Sequence, residues 1–115
     1  MISKPPSGRG HRQRLRDRFF QNGIESFHDY EVLELLLTLT TPRKDMKPQA
    51  KELMRRFGSL SSVLEAPISI LRDVQGMGQA NIFALKLPHA VGRRFLFEQA
   101  KGKDYLRSSR TVKDY

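Results

Sequence analysis

The sequence has no cysteine, which excludes a disulfide scaffold, a thiolate zinc site and a cysteine nucleophile. No apolar run approaches the ~18 residues of a membrane span. No apolar stretch follows the basic first residues either, so neither a membrane segment nor a secretory leader is expected. Sustained apolar–polar alternation is missing, which argues against half-buried strands. The three histidines, His11, His28 and His89, stand apart from one another. There is no nucleophile–base pair and no nucleotide-type glycine-rich loop. No catalytic residue, metal or cofactor is therefore expected, the chain is not expected to be an enzyme, and a cytoplasmic location is the default.

What is present is one domain's worth of chain, 115 residues with 38% hydrophobic and 29% charged positions. A chain of this size can hold a core without covalent staples. The net charge is +9 and the isoelectric point about 10.4, a footprint of polyanion binding. The charge is unevenly placed. Residues 1–18 carry six bases against one acid, residues 19–92 carry eight of each, and residues 93–115 carry seven bases against three acids. A neutral body with two basic ends fits a globular unit with electrostatic arms; a merely solubilising surface is the alternative.

Residues 1–10, rich in Pro, Gly and Ser, are expected to be a disordered tail. A helix is expected from His11 to Asn22, stopped by Gly23, with Leu15, Phe19 and Phe20 on its inner side. The next, Tyr30 to Leu39, has apolar residues almost all round and should be the most buried. Its first-turn acids Asp29 and Glu31 suit the helix dipole, and Glu34 is placed to pair with a base of the first helix. Thr40, Thr41 and Pro42 end it. After a basic turn, Arg43-Lys44-Asp45, a third helix begins with Asp45 as cap and Pro48 in the first turn and ends at Phe57. Gly58 supplies a left-handed stop. Two short helices follow, one capped by Ser59 and one from Ile68 to Asp73, separated by Ala66-Pro67. The last helix is expected from Gln79 to about Phe97, kinked or split by Pro88, with Ile82, Leu85, Val91, Phe95 and Leu96 inward. The aromatics Phe19, Phe20, Phe27, Tyr30 and Phe57 are assigned to the core rather than to base stacking. The prediction is an all-α bundle of five to six short helices, residues 11–100, with 101–115 as linker or tail.

The segment Gly76-Met77-Gly78 lies between two helices. Two glycines so close permit positive φ and let the backbone approach a ligand. The N–H groups of Gly76 to Ala80 would open at a helix start, which suits a phosphate, with Met77 folded back as a plug. Residues 71–87 (LRDVQGMGQANIFALKL) resemble a helix-hairpin-helix, a reader of DNA backbone. GHRQRLRDRF (10–19), FHDYEVLELLL (27–37), PRKDMKPQAKELMRRFGSL (42–60) and VQGMGQANIFALK (74–86) resemble, in order, the amino-terminal domain of the bacterial RadC family. That resemblance implies a paired helix-hairpin-helix domain (SAM-like, similar to the RuvA carboxy-terminal domain). Residues 41–47 would form the first hairpin, in a degenerate motif, and 59–65 the connector.

Helix-hairpin-helix motifs often place a proline before the first glycine and a lysine after the second; here those positions hold Gln75 and Gln79-Ala80-Asn81. Expected DNA contacts are Gly76, Met77, Gly78, Gln79, Ala80 and Asn81, with charge from Arg43, Lys44 and Lys47 and from Arg9, Arg12, Arg14 and Arg16. Binding would be independent of base sequence, and the family resemblance carries a DNA-repair association. RadC-like chains continue into a domain resembling the JAB/MPN metalloprotease fold, whose His-x-His and Ser-x-x-Asp pattern is not found here. The chain is thus expected to be a truncated or split form. The alternative role is a protein-interaction scaffold that positions such a downstream domain.

Overall fold

A computed structural model describes the backbone of residues 9–113 and the side chains of residues 10–103; of the expected tail at residues 1–10, residues 1–8 lie outside the described residues, and residues 9 and 10 instead open the first helix. Every regular element among them is helical: α1 (Arg9–Asn22), a 3-10 turn (Ile24–Ser26), α2 (Asp29–Thr38), α3 (Lys47–Phe57), α4 (Leu60–Glu65), α5 (Ile68–Arg72) and α6 (Gln79–Lys113). The all-α expectation holds, and no described helix is long and apolar enough to cross a membrane.

Local chemistry explains most of the boundaries. Gly23 at φ 78° receives α1, its N–H donating to the Phe19 carbonyl at 2.8 Å. At the start of α2, the Glu31 carboxylate accepts the His28 N–H at 2.9 Å, which satisfies an amide the helix leaves open. The cap position of α3 is Met46, one residue after the expected Asp45, and makes no side-chain bond; Asp45, just outside the helix, accepts the Lys47 N–H at 3.0 Å. Gly58 at φ 88° ends it, as a left-handed residue does at little cost without a Cβ. Ser59 caps α4 through the Ser62 N–H at 3.1 Å.

α2 is the central element, packed against α1, α3, α4 and α6. Leu33 and Leu37 are fully buried on it and meet Met46, Ala50 and Leu53 from α3 and its entry, Val63 from α4, Leu71 from α5 and Ile82 and Leu85 from α6. Asp29 accepts the Leu60 N–H at 3.0 Å, which ties the start of α2 to the start of α4. Lys86 donates to the carbonyls of Leu64, at 2.9 Å, and Ala66, closing the end of α4 onto α6.

α1 docks on α2 through polar groups as much as through Leu15. His11 Nε2 lies 2.8 Å from the buried Glu34 carboxylate, the pairing expected for Glu34. Arg18 makes a fork to both oxygens of Glu31, at 2.6 and 3.2 Å, and stacks over Phe27 at 4.1 Å from the ring centre. That hydrogen bond holds the Glu31 carboxyl below its ordinary value, assisted by the His28 amide and opposed by desolvation.

Four expectations need correction. Phe20 is 83% exposed and Phe19 half-exposed, because α1 turns a narrow His11–Leu15–Arg18 side to α2. Leu39, beyond the last turn of α2, is also exposed. Pro88 does not split α6, which is helical throughout. A proline forfeits one backbone hydrogen bond in the ladder, and the preceding turns are anchored in the core by Ile82, Ala84 and Leu85. The helix spans about 52 Å at 1.5 Å per residue and so outruns the bundle. Val91, Phe95 and Leu96 consequently lie exposed instead of inward.

Candidate nucleic-acid interface

The turn between α5 and α6 closes on itself. The Met77 N–H donates to the Val74 carbonyl at 3.1 Å, and the Met77 side chain is buried in the core cluster, the plug that an apolar residue between two glycines predicts. Gly76 sits at φ 84°, and a Cβ there would come within 2.5 Å of the Gln49 side chain on α3. The left-handed backbone is what favours glycine here, and the Gln49 side chain, whose end a Cβ would meet, would have to swing aside. Gly78 has neither constraint; a Cβ there would meet nothing closer than Asn81 Oδ1 at 3.8 Å.

The expectation that all the amides from Gly76 to Ala80 open outward is corrected. The Met77 N–H is bonded within the turn, and the Gly78 N–H donates to Asn81 Oδ1 at 3.1 Å. The amides of Gly76, Gln79 and Ala80 have no acceptor among the described residues, and all three residues are exposed. They stand at the positive end of α6, where unpaired donors and the helix dipole favour an anion.

Asn81 has a further role that its position in the sequence does not announce. Its Nδ2 donates to Thr41 Oγ1 at 2.7 Å, linking the α5–α6 turn to the α2–α3 turn across 40 residues. Asn81 is 8% exposed, so its amide acts as a brace between the two turns. A second link runs from α1, where the mostly buried Arg12 donates to the Lys44 carbonyl. Arg12 and Arg16 line a depression with Thr38, Leu39 and Pro42 beside the first turn. Lys44, Pro48, Gln49, Glu52, Gln75 and Gly76 line a groove between the two turns.

Of the residues singled out from sequence, Gly76, Gly78, Gln79, Ala80, Arg43 and Lys44 are exposed on the two linked turns, with Lys47 half-buried beside them. Met77 and Asn81 point into the fold. Arg14 is exposed but two residues from both Arg12 and Arg16, which puts it on the opposite side of α1. The side chain of Arg9 lies outside the described residues. Gln49, Glu52 and Thr41 belong to the groove and its brace but carry no sequence signal, since each looks like an ordinary polar surface position. Glu52, which pairs with Arg55 at 2.6 Å, contributes the groove's one carboxylate.

The UPF0758 N-terminal family matches residues 10–83, nearly two thirds of the chain. The chain belongs to that family. UPF0758 is the RadC-like family that the sequence resembles. A UPF0758 protein of Fusobacterium nucleatum is 53% identical over 78 residues, covering 68% of this chain and 34% of the relative. One from Ruegeria pomeroyi is 39% identical over 107 residues, 93% of this chain and 48% of the relative. One from Rhodobacter capsulatus is 40% identical over 101 residues, 88% and 47%. The chain thus spans about half or less of the length of these curated relatives. No solved structure matches it. The matched region contains all of α1 to α5 apart from Arg9, the α5–α6 turn and the first turn of α6, so both linked turns lie within the UPF0758 N-terminal unit.

Proposed function

We propose that this UPF0758 domain is a DNA-binding module that reads the phosphate backbone without base specificity, through a helix-hairpin-helix formed by α5, the Gly76–Gly78 turn and α6. The supporting observation is the convergence of three segments distant in sequence. Asn81–Thr41 joins the two turns, and Arg12–Lys44 joins basic α1 to the first of them. Open amides of Gly76, Gln79 and Ala80 then lie on the same linked unit as Arg43, Lys44 and Arg16. Amides would fix the phosphate geometry, and the bases would supply the attraction that amides alone lack. DNA maintenance is the process this chemistry suits best.

A salt titration of duplex binding tests the reading. The logarithm of affinity should fall linearly with the logarithm of salt concentration, with a slope of roughly 0.9 per neutralised phosphate. Arg43→Ser with Lys44→Ser should reduce that slope by about two phosphates' worth. An unchanged slope in the double variant would remove these turns from the interface and leave bulk charge as the source of binding.

A second reading is a protein-interaction scaffold that positions a JAB-type domain. It is favoured by the exposed apolar residues of α6 beyond the bundle and by the additional length of the UPF0758 relatives. It predicts partner binding insensitive to salt and unaffected by Ser at the exposed Arg14 and Arg16; Arg12, buried against Lys44, is left in place because it holds the fold.

A further inference from the structure

A second concave site lies on the other flank of α3 from the groove between the two turns. Phe27, His28, Asp29 and Tyr30, from the entry and first turn of α2, line a cavity of about 640 Å³ with Lys51 and Met54 of α3. That volume falls within the range of small-ligand sites. The His28 and Tyr30 rings are parallel to within 6°, with centroids 6.0 Å apart. Tyr30 and Met54 also pack against the core cluster, so Tyr30 is only in part the core residue expected of it. His28 is exposed and Phe27 half-buried. Lys51 holds its ammonium 5.1 Å from the centre of the Tyr30 ring and joins no ion pair among the described residues. Asp29, the one carboxylate of the lining, accepts the Leu60 N–H at 3.0 Å.

We infer that this cavity takes an unpaired nucleobase, so that the DNA held by the turns is a duplex bordering a single-stranded segment. The inference rests on the DNA-binding reading and names the class of DNA. The lining selects among occupants. Parallel rings offer π faces, which a flat ring uses and an aliphatic chain does not. The Lys51 ammonium repels a cation, which aromatic-lined sites otherwise attract, and it favours a ring that carries a phosphate. A nucleotide combines the two features. Stacking of bases on aromatic side chains beside a basic track is how single strands are held without sequence preference. The cavity also adjoins the proposed interface. Lys47 and Lys51 are four residues apart, on one face of α3 and about 6 Å apart along its axis. They connect the first turn, with its exposed Lys44, to the cavity. A strand leaving the duplex can follow these bases by its phosphates and turn one nucleobase in between α2 and α3.

The test uses one duplex in three forms: blunt, with a short single-stranded overhang, and with the same overhang made abasic. The abasic form keeps the added phosphates and removes the bases, which separates stacking from charge. The parent chain is expected to bind the base-bearing overhang about ten-fold more tightly than the abasic one, within the range for one stacked base. His28→Ala and Tyr30→Leu should each bring that ratio close to one and leave blunt-duplex affinity unchanged. Leu at position 30 keeps an apolar side chain against the core. Ala at position 28 is exposed and keeps the backbone N–H that Glu31 accepts, so it decides the matter if the Tyr30 variant melts too early. The chain has three histidines, so the His28 imidazole protons can be followed by NMR. They should shift upfield with the base-bearing overhang and not with the abasic one. A parent that binds DNA with a steep salt slope but treats both overhangs alike overturns the inference and leaves the DNA-binding reading standing. So does a preference for bases that survives both substitutions. Absence of binding to all three forms overturns that reading, and the inference with it.

Discussion

Replacing Asn81 with Ala removes the brace between the two turns. The side chain makes two hydrogen bonds, accepting the Gly78 N–H at 3.1 Å and donating to Thr41 Oγ1 at 2.7 Å. It is 8% exposed, so water replaces these bonds only in part. Each neutral hydrogen bond contributes about 1 kcal/mol net, and a partner left unsatisfied adds to the loss. The expected cost is about 2 kcal/mol, which for a domain of this size lowers the melting temperature by about 8–16 °C. Urea denaturation followed by circular dichroism at two protein concentrations measures it. Thr41→Val tests the link itself: in a double-mutant cycle, Asn81 and Thr41 should couple by about 1 kcal/mol. If Asn81→Ala lies within about 0.5 kcal/mol of the parent, an ordinary surface effect, the brace carries no weight. The claim that the two turns form one unit then fails with it.

Other outcomes follow from the same contacts. His11→Ala should destabilise the fold by about 2 kcal/mol, because it strands the buried Glu34 carboxylate; His11→Ala with Glu34→Leu should regain most of the loss, as thermal melts will show. Glu31, with its carboxyl held low by Arg18, contributes stability that is fully present above the ordinary carboxylate value. That contribution is lost as pH falls through the depressed value, so Glu31→Gln should flatten the acid limb of a stability–pH curve. Gly58→Ala should cost about 1 kcal/mol for its left-handed backbone alone, since nothing lies within 4 Å of the added Cβ. Gly76→Ala should cost at least as much, since its backbone is also left-handed and the Gln49 side chain must swing aside; a cost near zero in chemical denaturation would contradict the left-handed turn.

Signals that act within a few residues were legible from sequence. Gly58, Ser59 and Pro48 mark helix ends by local geometry, and each does so in the structure; Asp45 bonds the first amide of α3 from one residue outside the cap, which is Met46. The plug role of Met77 was equally readable, because an apolar residue between two glycines has only the core to enter. Long-range polar links were not legible. Asn81 looked like a free donor, yet its amide is committed to Gly78 and Thr41. Arg12 looked like one of several solvated bases, yet it is mostly buried against Lys44. Charge composition cannot separate a guanidinium that holds the fold from one that faces a ligand. Phe95 and Leu96 were misplaced for a related reason: apolar spacing shows that a helix face needs cover, not that the same chain supplies it. The matched family unit begins at the first residue of GHRQRLRDRF and ends within VQGMGQANIFALK.

The most direct test of the backbone-reading hairpin is the duplex affinity of Gly78→Asp against Gly78→Asn. Neither side chain is obstructed at this position, and both residues favour a helix start, so the fold should persist in each. The account predicts that Asn stays near the parent, whereas Asp, which sets a negative charge where the phosphate would lie, loses about ten-fold, or about 1.4 kcal/mol. Equal affinity of the Asp variant and the parent would contradict it.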